Sequence, residues 1–308
     1  MTVKNNYRLL KWNENAIILF KYNYITTFLK GIIMVKEMGI DAGGTLTKIA
    51  YIDSTGELIL KNFPSNDLRV PAQFINQFTE LEVIGITGGR AEQLNQFITI
   101  NPKTVGLVEF EATMEGVKFL LSQEKSDIED AIITNIGSGT SIHHMKYDEY
   151  TRVGGTGVGG GTLVGLSALL TGVNSYQEMS NLAQSGTRKG IDLMVADIFQ
   201  GQEIPAPLNP NLTASNFGQA GIKLNETYKD EDLLATVARL VGEVITTLSI
   251  QLADQFKTES IVYIGTTLKD HPVLQYVIED YTTLKKKKAI FLDDRGYSGA
   301  IGALKKIV

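Results

Sequence analysis

One arrangement occurs twice in this chain: an apolar extended run, a short turn of glycine and hydroxyl residues, and a second extended run. The first copy lies in Met38 to Asp53 (MGIDAGGTLTKIAYID) and turns at Gly43 and Gly44. The second leaves the buried run Ala131 to Ile136 through Gly137, Ser138, Gly139, Thr140 and Ser141, and resumes through Ile142 to Met145. Adjacent glycines let a backbone approach a ligand and offer N–H groups with no Cβ in the way. Two such turns facing each other would hold a polyphosphate from opposite sides. In the first copy Asp41 ends a strand, where it can hold Mg²⁺ through water, and Lys48 can neutralise phosphate charge. The competing reading of that copy alone is an ordinary Gly-Gly hairpin, because short glycine motifs recur by chance.

Around these units strands and helices alternate, the signature of an α/β protein. Phe74, Ile75 and Phe78 fit a helix within 67–80, Leu81 to Thr87 a short strand, and 90–96 a second helix. An extended run follows over Val105 to Phe110, and from Glu111 Met114, Val117, Leu120 and Leu121 share a helical face. A third glycine cluster, RVGGTGVGGG (Arg152 to Gly161), opens a helix through unpaired N–H groups that would suit an anion or nucleotide. The alternative is that these glycines only permit close packing. The pattern is helical again from Ser175 to Phe199, loop-rich over 201–218, and helical over 231–256, where an apolar stripe is read as core rather than as a dimer seam. A strand at 260–264 ends in Gly265, Thr266 and Thr267; a helix over 271–281, a strand over 289–292 and a small-residue helix over 298–307 close the chain. His143 and His144 are adjacent in an extended run and so point to opposite faces, which suits a surface or a substrate wall better than a shared metal.

With no cysteine, the 308 residues can form neither disulfides nor thiolate metal sites, and a net charge of -5 argues against a nucleic-acid or anionic-membrane surface. Residues 1–34 break the pattern: polar residues interrupt each apolar run, so no membrane span or secretory signal is expected there. The first strand begins naturally after Met34, so 1–34 read as an extension that is poorly ordered or upstream of the true start, with an amphipathic helix as the alternative.

Four strand-ended glycine or hydroxyl turns, closing with the GTT junction and a small-residue helix, resemble the acetate and sugar kinase, heat-shock ATPase and actin superfamily. Within it the chain is similar to the type II pantothenate kinases of staphylococci and their relatives, from about residue 35 to 306. The motifs that carry this are GIDAGGTLTK (Gly39 to Lys48), VEFEA (Val108 to Ala112), NIGSGTS (Asn135 to Ser141), RVGGTGVGGGT (Arg152 to Thr162), LTASNFG (Leu212 to Gly218), KTESIVYIG (Lys257 to Gly265) and YSGAIGAL (Tyr297 to Leu304). The resemblance implies a two-lobed actin-like ATPase (ribonuclease H-like) fold with ATP in the interlobe cleft. Residues 35–130 would form a first lobe and 131–308 a second, with the closing helix free to pack back on the first.

It further implies ATP-dependent, Mg²⁺-assisted phosphorylation of the primary hydroxyl of pantothenate, the first step of coenzyme A biosynthesis, by a cytoplasmic homodimer. The family's nucleotide site corresponds to Asp41, Ala42, Gly43, Gly44, Thr45, Leu46, Thr47 and Lys48; to Ser138, Gly139 and Thr140; to Gly160, Gly161, Thr162, Leu163 and Val164; and to Tyr176 and Thr266. Asp41 would hold the metal, Glu109 would be the general base, and Arg152 would stabilise the transferring phosphoryl group or orient the acceptor carboxylate. Two other classes compete. A sugar or N-acetylhexosamine kinase shares the Asp-x-Gly-Gly-Thr loop, but its cysteine-histidine zinc members are excluded and no aspartate base in the usual sugar-kinase setting is evident. A non-catalytic ATP-dependent regulator is the other; radical-enzyme activators of this fold carry cluster cysteines, which are missing here.

Overall fold

The computed structural model describes residues 35–308 apart from 125, 127 and 207, so the expectations for residues 1–34 lie outside the described residues. The chain forms two compact units: one runs up to Leu120 and includes Tyr297–Val308, and the other is Leu121–Gly296. In the first, β1 (Glu37–Ala42), β2 (Leu46–Ile52) and β3 (Leu58–Pro64) are followed by α1 (Arg69–Ile75), β4 (Val83–Thr87), α2 (Ala91–Asn95), β5 (Lys103–Gly106) and α3 (Glu109–Gln123). The sheet order is β3-β2-β1-β4-β5, antiparallel through the first three and parallel from β1 to β5.

The second unit begins with β6 (Asp130–Ile136), β7 (Thr140–Lys146) and β8 (Glu149–Thr156), then α4 (Gly160–Thr171) and α5 (Tyr176–Ala183). It continues through β9 (Leu193–Met194), α6 (Val195–Phe199), β10 (Thr213–Ser215), α7 (Gly218–Ile222), α8 (Asp230–Phe256), β11 (Ser260–Ile264), α9 (Pro272–Leu284) and β12 (Lys288–Phe291). Its sheet order, β12-β11-β6-β7-β8, is again a three-strand antiparallel meander extended from its first strand by two parallel strands. Both units are therefore one topology used twice, with β1 and β6 at the centre. The closing helix α10 (Ser298–Lys305) belongs to the first unit.

Alternation along β1 sorts its side chains. Met38, Ile40 and Ala42 enter a core with Ile49, Tyr51, Ile84 and Ile75, while Gly39 and Asp41 face α10. The fit on that side is backbone to backbone: a Cβ on Gly39 would lie 2.1 Å from Ala300 O, and one on Gly85 2.2 Å from Ala303 O. In the second unit α8 and α9 cover the sheet through Val237, Val241, Ile245, Leu274 and Ile278, packed on Ile132, Ile261 and Tyr263. The stripe on α8 is core, but its buried positions include Leu234 and Ala238, and Leu248 is exposed. Among the described residues α8 alone is long and apolar enough to cross a membrane, and 67% of its most apolar window is buried within the fold.

Four local expectations change. The extended run over 105–110 stops at Gly106, and α3 starts at Glu109 itself. Of the third glycine cluster only its end opens α4; residues 152–156 belong to edge strand β8, bulged where Ile142 and His143 pair with Gly154 and Arg152. The helical pattern over 175–199 breaks after Ala183, because Gly186 abuts Glu231 O, Gly190 takes φ +92°, and Leu193–Met194 pair with β10. His143 is buried, 3% exposed, rather than on a surface.

Candidate active site

In the first unit the site is built on the end of β1. Asp41 lies against the first turn of α10, where a Cβ on Gly299 would sit 3.1 Å from Asp41 Oδ2. Burial pushes the Asp41 carboxyl up to about 6; Lys48, whose Nζ is 3.8 Å from Oδ2, pulls it down, and the negative charge of Glu109 pushes it further up. At 3.8 Å the Lys48 pair is a charge contact rather than a hydrogen bond. Glu109 is exposed on the first turn of α3, where a carboxylate is favoured by the helix dipole.

The rest of the first loop divides by exposure. Gly43 N–H donates to Leu46 O at 3.1 Å and closes the turn, leaving Gly44 and Thr45 as its exposed residues. Ala42 is buried and its carbonyl accepts the Arg90 N–H at 3.0 Å. Thr47 is fully buried with its hydroxyl 2.9 Å from Ser65 Oγ, so it braces the hairpin from within, and Leu46 is half-buried.

In the second unit the β6–β7 turn, the start of α4, α5 and a 3₁₀ turn at Thr266–Leu268 surround a pocket of about 340 Å³. Six residues expected from the sequence line it: Ser138, Gly160, Gly161, Val164, Tyr176 and Thr266. Gly137 and Thr267 line it as well, and sequence reasoning did not select them. Each sits beside a selected residue in a glycine and hydroxyl junction, which is the signal that was available.

The glycines of α4 serve packing directly. Gly160 N–H donates to Gly137 O and Gly161 N–H to Ser138 O, both at 2.8 Å, so these two groups are engaged rather than free for an anion. A Cβ on Gly159 would lie 2.7 Å from Gly139 C. Thr162 Oγ1 accepts the Gly159 N–H at 3.3 Å, Thr140 Oγ1 donates to Val158 O at 2.8 Å, and Leu163 is in the core. Gly139, Thr140, Thr162 and Leu163 thus frame the turn and helix behind the pocket wall. Tyr176 donates its hydroxyl to Thr267 O, and its ring meets His271 edge-on at 5.8 Å; burial pushes the phenol up.

Arg152 is exposed on β8, paired in register with His143, and its Nη2 would be 2.9 Å from a Cβ on Gly155. Burial first, and then the Arg152 charge, push His143 down to about 4, so the imidazole is neutral at physiological pH. Among the described residues no group of three or more His, Asp or Glu side chains could cage a metal. The donor set at Asp41 instead suits a hard cation held by one carboxylate, water and phosphate, as Mg²⁺ is. Burial and the Glu109 charge both work against the ionised Asp41, and a bound cation would offset them.

The Fumble family model matches residues 37–306. The chain is 48% identical over 271 residues to a type II pantothenate kinase of Bacillus cereus, covering 88% of this chain and 97% of that one. It is 37% identical over 268 residues to a type II pantothenate kinase of Staphylococcus saprophyticus, covering 87% and 99%. Component A of the Acidaminococcus fermentans (R)-2-hydroxyglutaryl-CoA dehydratase superposes with a TM-score of 0.60 over 88% of this chain and 96% of that one, at 14% identity, which speaks to fold alone. That fold is the actin-like ATPase fold. By the span of the family match and the identity over almost the full length of its relatives, this chain belongs to the Fumble family of type II pantothenate kinases.

Proposed function

We propose that the protein transfers the γ-phosphoryl group of ATP to the primary hydroxyl of pantothenate, giving phosphopantothenate for coenzyme A biosynthesis. The observation that carries the residue assignments is the Asp41, Lys48 and Glu109 constellation, a carboxyl pushed up by burial beside a cation and an exposed second carboxylate. Glu109 accepts the proton of the attacking hydroxyl. Lys48 and the exposed turn residues Gly44 and Thr45 take phosphate oxygens. Arg152 offers its guanidinium to the transferring phosphoryl group or to the acceptor carboxylate. The pocket at Ser138, Gly161, Tyr176 and Thr266 takes the nucleoside end. Mg²⁺ fits the donor chemistry of Asp41 and, when bound, neutralises phosphate charge.

We place the protein in the cytoplasm as a homodimer. Leu169 and Leu224, 84% and 81% exposed, are apolar surface available to a second copy. Sedimentation of the purified protein tests that assembly, a monomer at micromolar concentration counting against it.

The deciding experiment offers Mg-ATP and a panel of pantothenate, N-acetylglucosamine, glucose and acetate, with products read by mass spectrometry. Phosphorylated pantothenate alone is expected. A phosphosugar would mean that the ATP loops are shared but the acceptor differs, and bound ATP with no product would support a regulatory protein.

A further inference from the structure

We infer that Thr267 is a positioning residue for nucleotide binding, setting the width of the second unit's pocket through the Gly137 carbonyl; this rests on the reading of that pocket as the nucleotide site. Thr267 is 6% exposed. Its hydroxyl donates to Gly137 O at 2.9 Å, the same carbonyl that accepts the Gly160 N–H at 2.8 Å. A carbonyl has two lone pairs, and here both are used. Thr267's own carbonyl accepts the Tyr176 hydroxyl. One residue therefore ties the β6–β7 turn to α5, and it does so at the carbonyl to which the start of α4 is also bonded; all three segments line the pocket.

Gly160 completes the device. A Cβ there would lie 2.3 Å from Thr267 Oγ1, so the glycine makes room for the hydroxyl. Tyr176, with its hydroxyl engaged as a donor to Thr267 O, braces that residue from the α5 side of the pocket. Without the Thr267 hydroxyl, Gly137 O keeps the Gly160 N–H as its donor, but the 3₁₀ turn at Thr266–Leu268 loses its tie to the β6–β7 turn, and that wall of the pocket is no longer fixed against the other. The effect falls on nucleotide affinity, because Glu109 and Arg152 are carried by other elements.

The test uses the full-length protein and its Thr267→Val, Thr267→Ser and Tyr176→Phe variants. Affinity for a non-hydrolysable ATP analogue is measured by calorimetry, alongside KM for ATP and pantothenate, kcat at saturating ATP, and Tm. Loss of one buried hydrogen bond in Thr267→Val is expected to weaken analogue affinity about tenfold and raise KM for ATP in parallel. KM for pantothenate and kcat should stay within about twofold, Thr267→Ser should restore affinity to within about twofold, and Tyr176→Phe should weaken it by about threefold. Unchanged affinity in Thr267→Val overturns the inference, as does a fall in Tm with kcat and both KM values moving together and no rescue by Ser. If Thr267→Val does not fold, unchanged affinity in Tyr176→Phe overturns it. Failure of the wild-type protein to bind the analogue overturns the nucleotide reading of the pocket itself, an outcome seen before any variant is made.

Discussion

Asp41 sits where folding and function pull in opposite directions. Its folded carboxyl is pushed from 3.8 up to about 6, chiefly by burial, so between those values the folded state holds the proton more tightly than the unfolded state. Stability therefore falls as pH rises through this window, and above pH 6 the ionised carboxylate is a standing cost. Replacing it with Asn removes the buried charge but leaves Lys48 without its partner, so a net gain of about 1–2 kcal/mol at pH 7 is expected, vanishing near pH 4. Urea unfolding of wild type and Asp41→Asn at both pH values measures this; equal stability at pH 7 would show that the charge is already compensated. The same variant should lose most turnover. Glu109→Gln should lower kcat by ~10²- to 10⁴-fold while leaving ATP affinity within about twofold, and wild-type turnover would remove Glu109 from the mechanism. Asp41 and Lys48 stood out in the sequence as an acid and a cation on either side of a glycine turn. Glu109 was singled out by the family resemblance; by residue type alone it reads as an ordinary carboxylate at a helix start. The engagement of the Gly160 and Gly161 N–H groups was not legible, because their acceptors lie 23 residues away at Gly137 and Ser138 and only the folded hairpin brings them together.

At the scale of elements, α10 shows why small residues were informative. It packs on β1 and β4 through Gly39 and Gly85 and on α3 through its own Gly302, where a Cβ would lie 1.7 Å from Ala112 O. No flexible side chain is there to give way, so Gly302→Ala should destabilise by about 3 kcal/mol by overpacking. Gly165, inside α4, has nothing within 4 Å of its would-be Cβ, and Gly165→Ala should be neutral or stabilising by up to about 1 kcal/mol. Chemical denaturation of the pair separates steric need from helix propensity; equal effects would refute the packing argument. The main strands and the long helix were readable from apolar runs and period. The stretch 185–194 was not: Ile191, Val195 and Phe199 keep helical spacing, but the chain is helical again only from Val195, because Asp192 is buried and accepts the Phe217 N–H at 2.8 Å, a tertiary bond that draws the chain toward β10. β8 was missed for a related reason, since its glycines have low strand propensity and pairing with β7 overrides it.

For the whole molecule, the repeated strand, turn, strand signal corresponds to a repeated topology, three antiparallel strands and two parallel ones in each unit. The second unit is one continuous stretch, Leu121–Gly296, whereas the first depends on chain from both sides of it. That asymmetry gives the C-terminal twelve residues a structural weight beyond their number. Within the first unit Ala300, Ile301, Ala303 and Leu304 are at most 1% exposed, and they cover the face of β1, β2 and β4 that carries Gly39, Ala50 and Gly85. Burial of Ile301 and Leu304 alone contributes roughly 5 kcal/mol, comparable to the whole stability of many domains. A chain ending at Gly296 should thus lose the folded first unit and all turnover, while one lacking only the last three residues, 306–308, should keep both. Limited proteolysis with mass spectrometry distinguishes the cases: in the longer truncation residues 35–120 should be digested rapidly, with resistant fragments confined to 121–296. Equal protection of both stretches would mean that the first sheet holds together without α10, and that its tight glycine contacts with the helix follow the fold rather than support it.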